Sequence, residues 1–170
     1  MNIEKILNDH HIYLKNNRLK GKRADFSYTN LQASNFVSHN FTYAKFKGAN
    51  LTFANMDSCD LTRANLIDAN LTSAKLMGAL MRGADLTGAN LTGADIRWVI
   101  GNGKEIKTVI IGIFTIVFTK EVLAIGCEQH PLKDWREGTV QLEGEDLELW
   151  EKYGDKVLNI VDLGLSLPSN

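Results

Sequence analysis

Large apolar residues occur at every fifth position across the middle of this 170-residue chain. They begin at Phe26 and end at Ile96, and every position of the column is Phe, Leu, Met or Ile. The column two positions earlier is mostly alanine, from Ala24 to Ala94. An α-helix would repeat every 3.6 residues and a strand every two, so this period predicts neither. One large and one small residue in each five suits a narrow core, where large side chains need small neighbours to pack at native density.

The most regular groups of five follow the motif Ala-Asp/Asn-Leu-Thr/Ser-X, seen as ANLTF at 49–53 and as ADLTG at 84–88. This motif resembles the repeat of the pentapeptide-repeat family, and the resemblance covers fifteen consecutive repeats at 24–98. It implies a right-handed quadrilateral β-solenoid with four pentapeptides in each coil. Fifteen repeats would make just under four coils, about 18 Å long at a rise of ~4.8 Å per coil. The expected fold class is all-β dominated: this solenoid, an N-terminal helical cap and a small α+β C-terminal domain.

Four repeats per coil would place residues twenty apart directly above one another. One corner would then carry an unbroken ladder of asparagines, namely Asn30, Asn50, Asn70 and Asn90. Threonines would form a second ladder beside it, namely Thr52, Thr72 and Thr92. Amide and hydroxyl ladders satisfy their own hydrogen bonds along a stack, so we interpret both as structural.

The segment before the repeats has the pattern of an amphipathic helix. Over 3–15, one helical face carries Ile3, Ile6, Leu7, His10, Tyr13 and Leu14. The segment is similar to the helix that precedes the repeats in many phage and prophage pentapeptide proteins. Because the end of a solenoid exposes its core, we expect this helix to be a cap. The expected domains are the cap at 1–23, the solenoid at 24–98 and a C-terminal domain at 99–170.

The C-terminal domain is expected to contain a β-hairpin and a helix. Residues from Ile106 to Ile125 favour strands, with a turn near Gly112 or at Lys120–Glu121. From about Gly144, apolar residues at helical spacing predict an amphipathic helix: Leu147, Trp150, Tyr153, Val157, Leu158 and Val161. The piece EVLAIGCEQHPLKDW also resembles a segment of the phage-type proteins. We expect this domain to be a cap, a dimerisation element, or both.

The net charge of −1 is unevenly distributed. Residues 1–23 contain six basic and two acidic residues, 24–98 contain six of each, and 99–170 contain seven basic and twelve acidic residues. None of these runs is dense enough for a nucleic-acid tail. The longest apolar run, Thr108 to Phe118, is shorter than the roughly 20 residues of a membrane-spanning helix. The first residues also lack the apolar stretch of a signal peptide. We therefore expect a soluble cytoplasmic protein, located in the host cell cytoplasm if it is phage-encoded, with no membrane partner.

The sequence shows no P-loop, GxGxxG, HExxH or Ser-His-Asp grouping, so we do not expect an enzyme or a cofactor. Cys127 and His130 form a C-x2-H pair and are the candidate metal ligands. A structural zinc site usually needs four ligands, so we interpret the pair as a core cysteine and a turn histidine without metal. His39 stands in the alanine column, where we expect it to face the N-terminal helix.

Several outward positions of the repeats are large and apolar, although most are polar or glycine. Met77 and Leu80 are expected around one corner, with Trp98 stacked nearby. The candidate interface residues are Met77, Leu80, Trp98, Tyr28, Tyr43, Phe53 and Trp150. Exposed apolar clusters mark interfaces. The alternative is that the C-terminal hairpin or helix folds back and covers this corner.

Four hypotheses about function follow. The first is a non-catalytic protein-interaction module, with a phage-encoded modulator of a host protein as one form of it. The second comes from the family, since some pentapeptide-repeat proteins resemble B-DNA and inhibit or protect DNA gyrase. A neutral solenoid of this length would match only about five base pairs at ~3.4 Å each, so we rank this DNA mimic lower. The third is direct nucleic-acid binding through residues 15–23, which we do not favour, and the fourth is a structural homodimer.

Overall fold

The computed structural model describes residues 2–111, 114–125, 128–141, 150–151, 154–155, 157–159, 161–162 and 165. The chain divides into two compact units, Met1–Asp95 and Ile96–Asn170. The named elements are α1 (Ile3–Lys15), β1 (Lys107–Ile111), β2 (Phe114–Phe118), β3 (Val122–Ile125), β4 (Glu128–Pro131) and α2 (Leu132–Glu137). Helix α1 and most of the repeats belong to the first unit. The expected three-part division of the chain stays a prediction.

Helix α1 begins after Asn2, whose side-chain oxygen accepts a hydrogen bond from the Lys5 backbone N–H at 2.9 Å. Such an N-cap satisfies one of the free donors of the first turn. After Lys15 the chain turns back, and the Lys22 N–H donates to the Asp9 carbonyl at 3.2 Å. The predicted helix is confirmed. Its fully buried residue is His10, while the apolar residues of the same face are half-buried.

Backbone hydrogen bonds join each coil of the solenoid to the next. Parallel bridges connect residues twenty apart, the first between Asp25 and Lys45 and the last between Lys75 and Asp95. Because a bridge recurs at every fifth residue, each coil has four sides of one pentapeptide each. The Leu66 N–H, for example, donates to a carbonyl of the following coil at 2.7 Å. The predicted stacking of residues twenty apart is therefore confirmed.

Each repeat is followed by the next through a tight four-residue turn. The third residue of this turn has a left-handed backbone. In one repeat the Ala64 N–H donates to the Leu61 carbonyl at 2.9 Å, and Arg63 has a φ of 56°. A hydrogen-bonded turn with positive φ at this position has the type II pattern, which favours glycine there. Glycine occupies the equivalent position in several repeats, but aromatic residues occupy it in four, namely Tyr28, Tyr43, Phe53 and Trp98. Bulky residues rarely adopt this conformation.

The large column fills the solenoid core. Its members from Phe26 to Leu86 are at most 2% exposed. At the start of the solenoid the column is aromatic, and ring centres lie between 5.1 and 6.1 Å apart among Phe26, Phe36, Phe41 and Phe46. Several of these pairs are edge-to-face, an arrangement that aromatic quadrupoles favour. After Phe46 the column contains only leucine, methionine and Ile96, so the first coil is the most aromatic part of the core.

The second unit contains a four-stranded antiparallel sheet in the order β1-β2-β3-β4. Between β2 and β3, the Thr119 N–H donates to the Val122 carbonyl at 2.9 Å, and the Thr119 Oγ1 accepts from the Glu121 N–H at 3.1 Å. The predicted turn at Lys120–Glu121 is thereby confirmed. The other predicted turn, at Gly112, lies outside the described residues.

This unit has more structure than the predicted hairpin and helix. Strand β4 reads EQHP, and the six-residue helix α2 begins directly after Pro131. Neither is long enough to show a periodic pattern, which is why sequence reasoning missed both. The described residues between 150 and 165 are helical, as predicted, whereas Leu147 and Tyr153 lie outside the described residues.

One hydrophobic cluster forms the core of the second unit. It consists of Ile116, Phe118, Leu123, Ile125, Leu132, Trp135, Val157 and Val161. Residues from two strands, from α2 and from the helical residues after 150 therefore share one core. Among the described residues, no helix combines the length and the apolar character that a membrane crossing requires.

Candidate interaction surface

Two aromatic side chains project from the first two coils of the solenoid. Tyr28 is 72% exposed and Phe53 is 58% exposed. The Tyr28 ring lies over Gly48, where an added Cβ would come within 2.6 Å of the ring atom Cδ1. Glycine at position 48 therefore makes room for the ring. Tyrosine is among the residue types that carry binding energy at protein interfaces.

Phe53 lies on a side of the solenoid that carries no charge. The turn positions of this side are Gln32, Ala33, Thr52, Phe53, Thr72, Ser73, Thr92 and Gly93. Along its edge, the Asn50 Nδ2 donates to the Asn30 Oδ1 at 3.1 Å. The three threonine hydroxyls donate to the asparagine two residues earlier at 2.6 to 2.7 Å. These polar groups are engaged within the fold, so Phe53 is the large apolar group that this side presents.

Tyr43, on a different side, is half-buried and contacts two arginines. The guanidinium carbons of Arg18 and Arg63 lie 5.0 and 5.7 Å from its ring centre. Arg63 Nη1 also donates to the Tyr43 hydroxyl oxygen at 3.0 Å. Arg63 follows Tyr43 by one coil, so the twenty-residue stack could have indicated this contact. Arg18 lies in the loop after α1, and no sequence pattern placed it there.

Met77 and Leu80 are half-buried side chains of the third coil. The Met77 N–H donates to the Asp57 Oδ1 at 2.9 Å, and Leu80 forms a backbone bridge with Asp60. Trp98 is 40% exposed and belongs to the second unit. The expected corner of Met77, Leu80 and Trp98 stays a prediction.

Trp150 packs within the second unit. Its ring centre lies 4.7 Å from that of Trp135, and its side chain packs against the hydrophobic cluster. Trp135 is itself buried and donates its Nε1–H to the Leu123 carbonyl at 2.9 Å. Trp150 therefore contributes to the fold of this unit, and its role at an interface stays a prediction.

Of the two candidate metal ligands, Cys127 lies outside the described residues. His130 Nε2 lies 3.1 Å from the Glu128 Oε2, and its ring meets that of Trp135 edge-on. In the part of the chain that the structure describes, no three His, Cys, Asp or Glu side chains group to hold a metal ion. Cys59 is buried and donates its Sγ–H to the Phe36 carbonyl at 2.8 Å. Burial raises the pKa of this thiol to about 12, so it is not a reactive nucleophile.

Two histidines have contacts that the sequence did not specify. His39 Nδ1 lies 3.1 Å from the carbonyls of both Phe36 and Val37, so this ring nitrogen contacts its own coil. His10 instead links α1 to the start of the solenoid, because its Nδ1 accepts from the Ala24 N–H at 3.1 Å. Burial, with Arg23 nearby as a smaller cause, lowers the pKa of His10 below its ordinary value.

Charges on the solenoid are balanced. Lys45 Nζ lies 2.8 Å from the Asp25 Oδ2, and the hydrogen bond from Lys45 lowers the pKa of Asp25 to about 2. Both side chains are partly exposed, so the pair contributes less than about 1 kcal/mol. With six basic and six acidic residues at 24–98, the repeats do not present the strongly acidic surface that a DNA mimic requires.

Among solved structures, a pentapeptide repeat protein from Nostoc Pcc 7120 is 27% identical, with a TM-score of 0.46, over 54% of this chain and 71% of its own. A second, from the thylakoid lumen of Arabidopsis thaliana, is 26% identical with a TM-score of 0.45, over 53% of this chain. The match spans 60% of the Arabidopsis chain. QnrB1, a plasmid-mediated fluoroquinolone resistance protein, is 18% identical with a TM-score of 0.24, over 47% of this chain and 48% of its own. No curated protein matches the chain.

These structural likenesses are too weak to support an argument about function. The repeat segment gives a more specific result, because residues 24–63 and 64–100 match the family model described as Pentapeptide repeats, in eight copies. The match covers the same residues whose twenty-residue stacking and tight turns are described above. Residues 24–100 of this chain are therefore pentapeptide repeats.

Proposed function

We propose that this protein is a non-catalytic protein-interaction module whose solenoid binds a protein partner. The main support is the exposure of Tyr28 and Phe53 on a backbone fixed by hydrogen bonds between coils. Large rings on a rigid scaffold lose little conformational entropy on binding. Both residues occupy a left-handed position that glycine fills in other repeats. The turn itself therefore does not require aromatic residues at these positions.

The family assignment supports the same conclusion. Pentapeptide-repeat proteins are generally structural or interaction modules rather than enzymes. The narrower form of the proposal is a phage-encoded modulator of a host protein. It rests on the resemblance of the N-terminal helix and of residues 121–135 to phage-type proteins.

Affinity capture tests this proposal. Tagged protein is produced in its native host, cross-linked, captured and analysed by mass spectrometry, beside the double variant Tyr28→Ala/Phe53→Ala. We expect a partner whose recovery falls at least about tenfold in the double variant, since exposed aromatic anchors dominate interface energies. Lys133→Ala, an exposed change in α2, is the control and should not alter capture. Equal capture by the double variant would show that these rings are not part of the interface. If the intact protein captures no specific partner, the proposed interaction function is refuted.

The alternative function is a DNA mimic that inhibits or protects a DNA-binding enzyme such as gyrase. The balanced charge of the repeats argues against it, although residues 99–170 carry an excess of acids. A supercoiling assay at micromolar protein tests it directly. A lack of both inhibition and protection would eliminate this alternative.

The remaining alternative is a structural homodimer joined through the C-terminal residues. Light scattering over a range of concentrations separates it from the main proposal. A monomer at high concentration would eliminate the homodimer and leave the interaction module unaffected.

A further inference from the structure

The contacts of Tyr43 place two arginine side chains at one point of the solenoid surface. Arg63 reaches back from the second coil, and Arg18 comes from the loop after α1. The Arg18 backbone N–H donates to the Tyr13 carbonyl at 2.7 Å, which fixes the position of this loop residue. Both arginines are exposed, whereas Tyr43 is half-buried. We call these three side chains the arginine–tyrosine cluster.

The cluster has hydrogen-bond donors without an acidic acceptor. Within the described residues neither guanidinium pairs with a carboxylate, in contrast to Lys45, which pairs with Asp25. The Tyr43 oxygen accepts from Arg63, so its own hydroxyl proton remains available to donate. An arginine offers five N–H donors, and Arg63 uses one of them on Tyr43. The cluster therefore presents two positive charges and several outward donors to solvent.

Stacking on Tyr43 also prepares the two guanidiniums for binding. A cation over an aromatic face is held by the ring quadrupole, so each arginine loses less side-chain freedom when a ligand arrives. An oxyanion that contacts both arginines would also relieve their mutual repulsion. The planar donors of a guanidinium match the two oxygens of a carboxylate.

We propose that the arginine–tyrosine cluster is a docking point for a carboxylate-rich segment of a protein partner. This proposal rests on the proposed interaction function and specifies the chemistry of the partner. Arginine and tyrosine are residue types that carry binding energy at protein interfaces. A nucleic acid fits less well, because its phosphates need a long basic track, and the cluster supplies only two basic side chains at one point.

Fluorescence anisotropy with labelled poly-L-glutamate tests the cluster directly. At low salt the intact protein should bind the probe, and Arg63→Ala should weaken binding by about fivefold, the upper range for a partly exposed charge contact. Arg63→Lys keeps the charge but loses the planar donors, so we expect it to weaken binding as well. Tyr43→Phe keeps the ring and should cause a smaller loss.

Arg82→Ala is the matched control, since Arg82 is an exposed arginine one coil after Arg63 on the same side of the solenoid, and within the described residues only Arg18 and Arg63 lie over the Tyr43 ring. It should change binding by less than about twofold if the cluster is specific. An equal loss in Arg63→Ala and Arg82→Ala would mean only diffuse electrostatic attraction and would overturn the proposal. Thermal melting of every variant identifies any loss that comes from unfolding. Tighter binding of a labelled DNA duplex with the same arginine dependence would also overturn it.

The capture experiment separates this proposal from the proposed function. If intact protein captures a partner and Arg18→Ala/Arg63→Ala captures it equally, the interaction module stands and the docking point is refuted. If poly-L-glutamate binds through the cluster but no partner is captured, the docking chemistry stands and the interaction function is refuted.

Discussion

The solenoid and the second unit form their cores in different ways. In the solenoid, each large residue of the column meets the same kind of neighbour one coil away, as Leu66 does with Phe46 and Leu86. In the second unit, Trp135 packs with residues of two strands and with Val157 and Val161. One core repeats a single contact, whereas the other combines different contacts that each occur once. A repeated contact can be read from the sequence, and a contact that occurs once cannot.

The two cores should also respond differently to damage. A solenoid is stabilised by nearest-neighbour interfaces between coils, so a defect should spread mainly to adjacent coils. The second unit shares one cluster among β2, β3, α2 and the helical residues after 150, so a defect there should affect all four. All three tryptophans lie in this unit, which makes their fluorescence a selective probe of it.

The largest effect is expected for Trp135→Ala. The change removes a buried ring, its contact with Trp150 and its hydrogen bond to the Leu123 carbonyl. We expect the free energy of unfolding to fall by about 3–5 kcal/mol. Urea denaturation followed by tryptophan fluorescence measures this change. Lys133→Ala, in the same helix but exposed, is the control. A loss below about 1 kcal/mol would contradict the shared core.

Leu66→Ala should break the solenoid at its centre. Leu66 is fully buried in the third coil, and a truncation of this kind costs about 2–5 kcal/mol. Hydrogen exchange should show faster exchange in the neighbouring coils and little change in the second unit. Leu91→Ala is the matched control, because Leu91 belongs to the same column but is only half-buried. If both variants lose the same free energy of unfolding, burial does not determine the effect of the truncation.

A smaller effect is expected for the link between α1 and the solenoid. Neutral His10 accepts from the Ala24 N–H, and protonation would place a proton against that donor. Because the folded-state pKa of His10 lies below its ordinary 6.5, the unfolded chain binds the proton more readily. Stability is therefore fully present above pH 6.5 and is lost as the pH falls from 6.5 towards the folded-state pKa.

Melting temperatures measured across this pH range provide the test. His10→Leu should remove this part of the pH dependence and cost about 1–3 kcal/mol at neutral pH, since the Ala24 N–H loses its acceptor. The exposed neighbour supplies the control, and His11→Gln should keep the pH dependence of the intact protein. An unchanged pH profile in His10→Leu would assign the dependence to another group.

The smallest effect on stability is expected for substitutions of turn glycines. Gly48 and Gly78 have similar positive φ values, of 61° and 69°, in the same solenoid. An added Cβ would clash with the Tyr28 ring at position 48, but would meet only the Ser58 hydroxyl oxygen, at 3.7 Å, at position 78. Gly78→Ala should cost about 1 kcal/mol for the left-handed backbone alone, and Gly48→Ala somewhat more. Identical melting temperatures for the two variants would show that the Tyr28 ring is free to move away.

Sequence reasoning was most successful where a local rule repeats. The column from Phe26 to Ile96 predicted the coils and the buried side chains, because each pentapeptide faces the same packing problem. The same reasoning could have linked Tyr43 to Arg63, which stands one coil away. It missed β4 and α2, since EQHP and LKDWRE are too short to show a period.

The sequence by itself determined the repeat, its stacking by twenty residues and the position of α1, because periodicity and amphipathic spacing are local properties of the chain. Only the tertiary structure decided which non-repeated side chains meet. In that structure Arg18 packs on the Tyr43 ring, His10 accepts a hydrogen bond from the Ala24 N–H, and Trp135 lies in the core of the second unit. Each of these contacts depends on where the chain returns in space after a turn or loop, and nothing in the residues themselves repeats to indicate that return.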